Sequence, residues 1–212
     1  MPQAIAADGR PPNPAPQQAR SRATRRRLLE ATVSCLEERG YAATTTTEVC
    51  RHAGVSQGAL FKHFPTKAAL LAATVEHLFA GLVDDYRAAF AESGGSDDPI
   101  PAAVRLLWET FERPALHAAF ELMLAGRTDP ELRGALAAVQ REHAANILRA
   151  ARELFPEAAA GNPLFEPALD TLLSAMQGSA LGNLVEPHPD ADAHKLAFLE
   201  GIARQAFTRS RS

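Results

Sequence analysis

The chain has 212 residues, of which 46% are hydrophobic and 22% charged, with a formal net charge of −3. These values exclude a mostly disordered or collagen-like chain and allow one or two packed domains. No apolar stretch approaches the length of a membrane span, and the N-terminal residues lack the apolar segment of a secretory signal. The two cysteines, Cys35 and Cys50, form neither a zinc spacing nor a disulfide framework, so a reducing, cytoplasmic location is expected.

The charge is unevenly spread. Residues 1–67 hold ten Lys/Arg against five Asp/Glu, and residues 68–212 hold twelve against twenty. A basic front on an acidic body suggests that the front meets a polyanion.

Residues 1–20 contain Pro2, Pro11, Pro12, Pro14 and Pro16 and almost no large apolar residue, which predicts a disordered tail. From Ser21 onward the pattern is helical and no strand is expected. Long helices are predicted over 22–39, 66–92, 100–113, 115–126, 130–155, 166–185 and 190–208. Gly94-Gly95 with Pro99 and Pro101, then Pro114, Asp129-Pro130, the stretch from Pro156 to Pro163, and Pro187 with Pro189 separate them. The expected organisation is a tail over 1–20, a small domain over 21–67 and a larger helical domain over 68–212.

The first helix places Leu28, Leu29, Thr32, Cys35 and Leu36 on one face and ends at Arg39-Gly40, where glycine suits a C-cap. Thr45 followed three residues later by Glu48 reads as a capping box opening a short helix from Thr46 to Ala53. Gly54-Val55-Ser56 then forms a tight turn, and Ser56 caps a second short helix from Gln57 to Phe64 that Pro65 ends. Thr66 caps the long helix that follows. Two short helices across a glycine-containing turn form a helix-turn-helix, whose second helix enters the DNA major groove. That helix begins Gln57-Gly58-Ala59. Gln bonds a base edge bidentately, Gly permits close approach, and the Ala methyl meets a thymine methyl. Lys62, His63 and Lys67 lie within reach of phosphates, and the helix starts at Thr46 and Thr66 direct N–H groups at anions.

Residues 40–71, GYAATTTTEVCRHAGVSQGALFKHFPTKAALL, resemble the DNA-binding domain of the TetR family of bacterial transcriptional regulators, and RRRLLEATVSCLEER before them is similar to that family's first helix. The resemblance implies an all-α fold, with a three-helix DNA-binding head followed by a helical effector-binding and dimerisation domain. It also implies a homodimer that binds a palindromic operator, usually represses, and is released by a small molecule. Carried over by position, Thr45, Thr46 and Thr47 meet the DNA backbone, and Gln57, Gly58 and Ala59 face bases. Phe61, Lys62, His63 and Lys67 line the backbone-contacting side. Phe61 departs from the family's usual Tyr, so a phosphate bond from that hydroxyl is absent.

Arg20, Arg22, Arg25, Arg26 and Arg27 oppose the dipole of the first helix, which points to a basic arm in which Arg22 and Arg25 contact DNA. Gly54-Val55-Ser56-Gln57-Gly58 matches G-x-S-x-G, but no strand precedes it, so Ser56 reads as a cap and no enzyme is expected. His188, Asp190, Asp192 and His194 read as a polar loop and not as a metal site. No cofactor is expected.

Ala175, Gly178, Ser179 and Gly182 permit close helix approach, and Leu196, Leu199, Ile202, Ala203 and Phe207 give the last helix an apolar face. In the family the last two long helices, about 166–185 and 190–208 here, form the dimer bundle, and two-fold closure is the commonest symmetry. Among the aromatic and polar residues of the larger domain, Trp108, Phe111, Phe120 and Met176 are expected to line an effector cavity, with His117, Glu121 and Gln177 orienting a hydrophobic ligand. An activator with the same head, and an enzyme or carrier on a helical scaffold, are the alternatives.

Overall fold

The computed structural model describes residues 14–92 and 98–208, and every element among them is a helix. The tail before Pro14 and the Gly94-Gly95 break lie outside the described residues. The order is α1 (Pro14–Ala43), α2 (Thr46–Ala53), α3 (Gln57–His63), α4 (Lys67–Glu92), α5 (Pro99–Phe111), α6 (Pro114–Ala125), α7 (Pro130–Leu154), α8 (Pro156–Ala159), α9 (Phe165–Asn183) and α10 (Pro189–Thr208). No single helix among the described residues is long and apolar enough to cross a membrane.

One expectation about boundaries needs correction and another needs extension. The first helix starts at Pro14, eight residues before the expected start at 22, so residues 14–20 are helical. The prolines separate helices as expected and, as foreseen only for Pro130, also begin them: Pro99, Pro114, Pro130 and Pro156 stand in the first turns of α5, α6, α7 and α8. A first-turn proline gives up an N–H that the helix cannot bond anyway. The same chemistry turns part of the 156–163 stretch into the one-turn helix α8.

The chain packs into two cores. Leu28, Leu29, Cys35, Val49, Leu60 and Phe64 close a small one among α1, α2 and α3. A larger one gathers α4 to α10 around Val75, Phe79, Trp108, Leu122, Leu132 and Met176. The two interlock: Leu70 of α4 belongs to the small core, and Leu36 of α1 belongs to the large one. Both helices therefore cross from head to body without a linker. In the body, α4 lies along α7, α5 along α10, and α6 beneath α1. Leu199, Ala203 and Phe207 of α10 point inward to the large core, so the helix's outer face is carried by Phe198, which is 68% exposed.

The backbone turns sharply at Gly40, with φ 71° and ψ 177°, and then continues for one short turn to Ala43. This region is essentially closed to residues with a Cβ. The Tyr41 N–H donates to Glu121 Oε1 at 2.8 Å, and a Cβ on Gly40 would stand 3.0 Å from the same oxygen. Thr44 Oγ1 donates to the Gly40 carbonyl at 2.8 Å. Gly40→Ala is expected to destabilise the protein by about 1–3 kcal/mol. Urea denaturation followed by circular dichroism would measure it, and an unchanged midpoint would show that the turn relaxes freely.

Candidate nucleic-acid interface and body cavity

The head is set by three side-chain caps. Thr45 Oγ1 accepts from the Glu48 N–H at 3.2 Å, Ser56 Oγ from the Ala59 N–H at 3.2 Å, and Thr66 Oγ1 from the Ala69 N–H at 3.1 Å. Each satisfies an amide that its helix cannot bond internally. The capping box at Thr45 is only half made, because the Glu48 carboxylate turns to Arg51 and Arg39, at 2.7 and 2.8 Å. Hydrogen bonding from Arg51 holds that carboxyl below its ordinary pKa. Gly54 closes α2 in the left-handed conformation, φ 62° and ψ 41°.

This scaffold leaves Gln57, Gly58, Phe61 and Lys62 exposed along one side of α3, while Leu60 is fully buried. The Gln57 amide donates from Nε2 to Thr47 Oγ1 at 2.7 Å, so the start of α3 is braced on α2. Thr47 and Ala59 flank it, exposed and half-buried respectively, and Thr45 and Thr46 lie at the start of α2. A Cβ on Gly58 would meet nothing closer than Ser56 Oγ at 4.0 Å. The fold therefore has no internal need for glycine there, although glycine within a helix costs roughly 0.5–1 kcal/mol relative to alanine.

The remaining cations differ in their freedom. Arg22 is exposed on α1, which is helical there and not the arm expected from the sequence, because the helix runs back to Pro14. The Arg25 guanidinium stacks over the Phe64 ring at 5.3 Å, and the Lys67 ammonium sits over the Tyr41 ring at 4.6 Å. Burial lowers the Lys67 pKa. Lys67 thus stands at the joint with the body, where the Tyr41 hydroxyl also donates to Asp129 at 3.5 Å. His63 is half-buried beside Phe64. Cys35 and Cys50 are both buried, and burial raises both thiol pKa values, which disfavours the reactive thiolate.

A cavity of about 500 Å³ opens inside the body between α4, α5, α6, α7 and α9. Of the residues expected around it, Phe111, Phe120 and Gln177 lie in its wall. Trp108, His117, Glu121 and Met176 do not, for reasons of helix geometry. The cavity face of α6 is Leu116, Phe120 and Met123, at helical spacing, and Glu121 points about 130° away to Tyr41. His117 bonds the Phe111 carbonyl at 3.0 Å, Trp108 Nε1 donates to Glu112 at 3.0 Å, and Met176 is sealed in the core at 1% exposure. His143, Gln140 and Ser174 line the cavity although the sequence reading did not select them. The spacing of Gln140 and His143, three apart on one helix, was the available signal. Asp192 engages Asn183 and Lys195 at 2.6 and 2.9 Å. Burial pushes its pKa up, but those bonds outweigh it and the net shift is downward.

Comparison with known proteins agrees with this arrangement. Residues 28–74 match the family described as bacterial regulatory proteins, tetR family. An uncharacterized HTH-type transcriptional regulator of Mycobacterium tuberculosis is 30% identical over 191 residues, which cover 88% of this chain and 95% of that protein. The HTH-type transcriptional regulator CymR of Pseudomonas putida is 36% identical over 117 residues, 55% of this chain and 58% of CymR. A crystal structure of a transcriptional regulator from Rhodococcus sp. Rha1 superposes with a TM-score of 0.62 at 25% identity, covering 85% of this chain and 96% of that one. The multidrug binding protein EbrR complexed with ethidium shares the fold, with a TM-score of 0.63 at 21% identity over 85% of this chain and 98% of its own.

Two substitutions in the head should move stability in opposite directions. Ser56→Ala removes a cap and should cost about 1 kcal/mol. Gly58→Ala should add roughly 0.5–1 kcal/mol, since the new methyl meets open space. Thermal unfolding of the two variants beside the parent would read both signs, and a destabilised Gly58→Ala would contradict the open surface around α3.

Proposed function

The chain belongs to the TetR family of bacterial regulatory proteins, and from that membership we propose that it is a cytoplasmic homodimeric repressor, released from a palindromic operator by a small hydrophobic effector. Its DNA-binding role in transcription follows from the family; the sign of regulation, the dimer and the release are the proposal. The observation that carries it is the division of the molecule into a reading head with its own core and a body with a ligand-sized cavity, joined by α1 and α4.

In this reading Gln57 and Ala59 face base edges in the major groove, and Gly58 lets the α3 backbone approach the duplex. Gly58 supports that role because nothing inside the protein requires it. Thr45, Thr46 and Thr47 stand at the DNA backbone, where the first α2 amides receive a phosphate. Thr47 also holds the Gln57 amide plane, leaving Oε1 and one N–H for a base. Phe61, Lys62 and His63 flank the phosphate side, with Arg22 and Arg25 on the adjoining turns of α1. Lys67 contributes by holding Tyr41 as well as through its charge.

The dimer forms through α9 and α10. Leu184, Val185 and Phe198 are 53%, 90% and 68% exposed, beside the small residues Ala175, Gly178 and Gly182 on the outer face of α9. An apolar face with close-approach positions fits a self-complementary interface. EbrR, with this fold, is described as complexed with imidazole and with ethidium, which supports a small-molecule ligand for the body cavity.

Selection of duplexes from a random pool by the purified protein should return an inverted repeat with half-sites about 34 Å apart or more. Gln57→Ala should relax preference at one position per half-site, by about 1–3 kcal/mol. Lys62→Ala should weaken all duplexes alike and reduce the salt slope by about 1. Gly58→Ala should bind less tightly although it is more stable. A selection without a recurring sequence would overturn the operator reading, and a promoter transcribed more strongly with protein present would overturn repression.

A further inference from the structure

The cavity wall is chemically one-sided. It is built from ring faces and aliphatic side chains, and none of its residues is Lys or Arg. An organic anion entering it would leave its hydration behind and find no cation. The acidic groups in the wall, Glu166 and Asp170 of α9, stand exposed, and Glu166 is already paired with Arg152.

Among the polar side chains of this wall, His143 is held through its ring and not through a hydrogen bond. His143 of α7 lies flat on Phe79 of α4, with ring centroids 3.7 Å apart and planes inclined by 12°. Its ring makes no hydrogen bond to any described residue, and no buried polar side-chain atom is left without a partner, so its nitrogens are accessible and not sealed. Burial alone lowers its pKa to about 4, with no charged neighbour contributing. A neutral imidazole offers one donor and one acceptor. Tyr86 cannot play the same part, because its hydroxyl already donates to the Ala103 carbonyl at 3.2 Å. Gln140, one turn before His143 on α7, and Ser174 and Gln177 on α9 are further uncharged polar groups in the wall.

We propose that the cavity binds an uncharged, flat aromatic molecule bearing a hydroxyl, with its ring against the phenylalanine wall and its hydroxyl bonded to the His143 imidazole. This deepens the effector reading given above, but binding itself does not depend on it. The stack on Phe79 covers one face of the imidazole and fixes its plane in the cavity wall. The hydroxyl is matched because it donates to one nitrogen or accepts from the other, whichever tautomer is present. A carboxylate on the same ring is excluded because nothing in the wall compensates its charge.

Calorimetric titration of the full-length protein with three probes of one shape tests this: a naphthol, the methylnaphthalene with a methyl in place of the hydroxyl, and the naphthoate. The naphthol and the methylnaphthalene should bind, and the naphthoate should bind at least tenfold more weakly than the naphthol. His143→Phe should shift the ratio of the first two dissociation constants by roughly tenfold against the naphthol, the worth of one such hydrogen bond. His143→Gln, which keeps a donor and an acceptor, should restore part of that preference and covers the case in which His143→Phe folds poorly. Naphthoate bound as tightly as naphthol, an unchanged ratio in both variants, or no binding by any probe would each overturn the proposal. Naphthol that binds through His143 without releasing operator DNA would leave this site standing and overturn only the effector role.

Discussion

The head meets the body at the turn that ends the long part of α1, where a hydrogen bond ties Tyr41 to Glu121 of α6. There a single carboxylate imposes two conditions. Glu121 accepts the Tyr41 N–H at 2.8 Å, which holds the backbone turned, and the same oxygen lies 3.0 Å from where a Gly40 side chain would begin. The bond favours the conformation and the crowding restricts it to glycine. A hydrogen bond to a charged group is worth about 1.5–3 kcal/mol when well shielded, and less at this exposed position. That suits a joint: firm enough to define one arrangement, weak enough to be shifted by a few kcal/mol.

Two of the helices at the contact between head and body, α4 and α6, also line the cavity. The cavity face of α6 is Leu116, Phe120 and Met123, while Glu121 projects from another side toward α1. α4 supplies Leu70 to the head core and Phe79 and Tyr86 to the cavity wall. A packed helix moves as a unit more readily than it deforms. The occupancy of the cavity and the attitude of the head therefore share two rigid elements. A ligand can bias that arrangement only by its difference in affinity between the two positions of those elements.

Much of this was legible locally. Thr45, Ser56 and Thr66 announce their helices because a hydroxyl three residues before an amide needs nothing distant to form its bond. Gly54 marks positive φ for the same local reason, whereas the turn at Gly40 also answers to Glu121. The cavity was less legible, because it is defined by which faces of five helices look at one another. Trp108 and Met176 have the right chemistry, yet each sits on its helix beside the lining face. Glu121 reads as a polar group on an apolar helix, and only the folded chain shows that its partner is eighty residues away, at Tyr41. The helix start at Pro14 was missed for another reason: prolines clustered in a polar stretch suggest disorder, although a proline in a first turn is compatible with a helix.

The surplus of positive charge in the front of the chain has a specific address. Glu48 is shared between Arg39 and Arg51 on the side of the head where α1 meets α2, and Arg26 pairs with Glu30. Arg22, Arg25, Arg27 and Lys62 have no acidic partner among the described residues, and all four are exposed. Arg25 is held over Phe64, the residue that ends α3, so α1 and the C-terminal end of α3 are tied by the charge that a polyanion would meet. In α1, which begins at Pro14, these arginines lie beyond the first turn, where the helix dipole acts weakly, and they gain nothing for the helix. Its stability there comes instead from Leu28 and Leu29, buried in the head core one turn below. The head thus anchors a basic helix by its apolar side and spends the stability on a surface that the fold alone does not require.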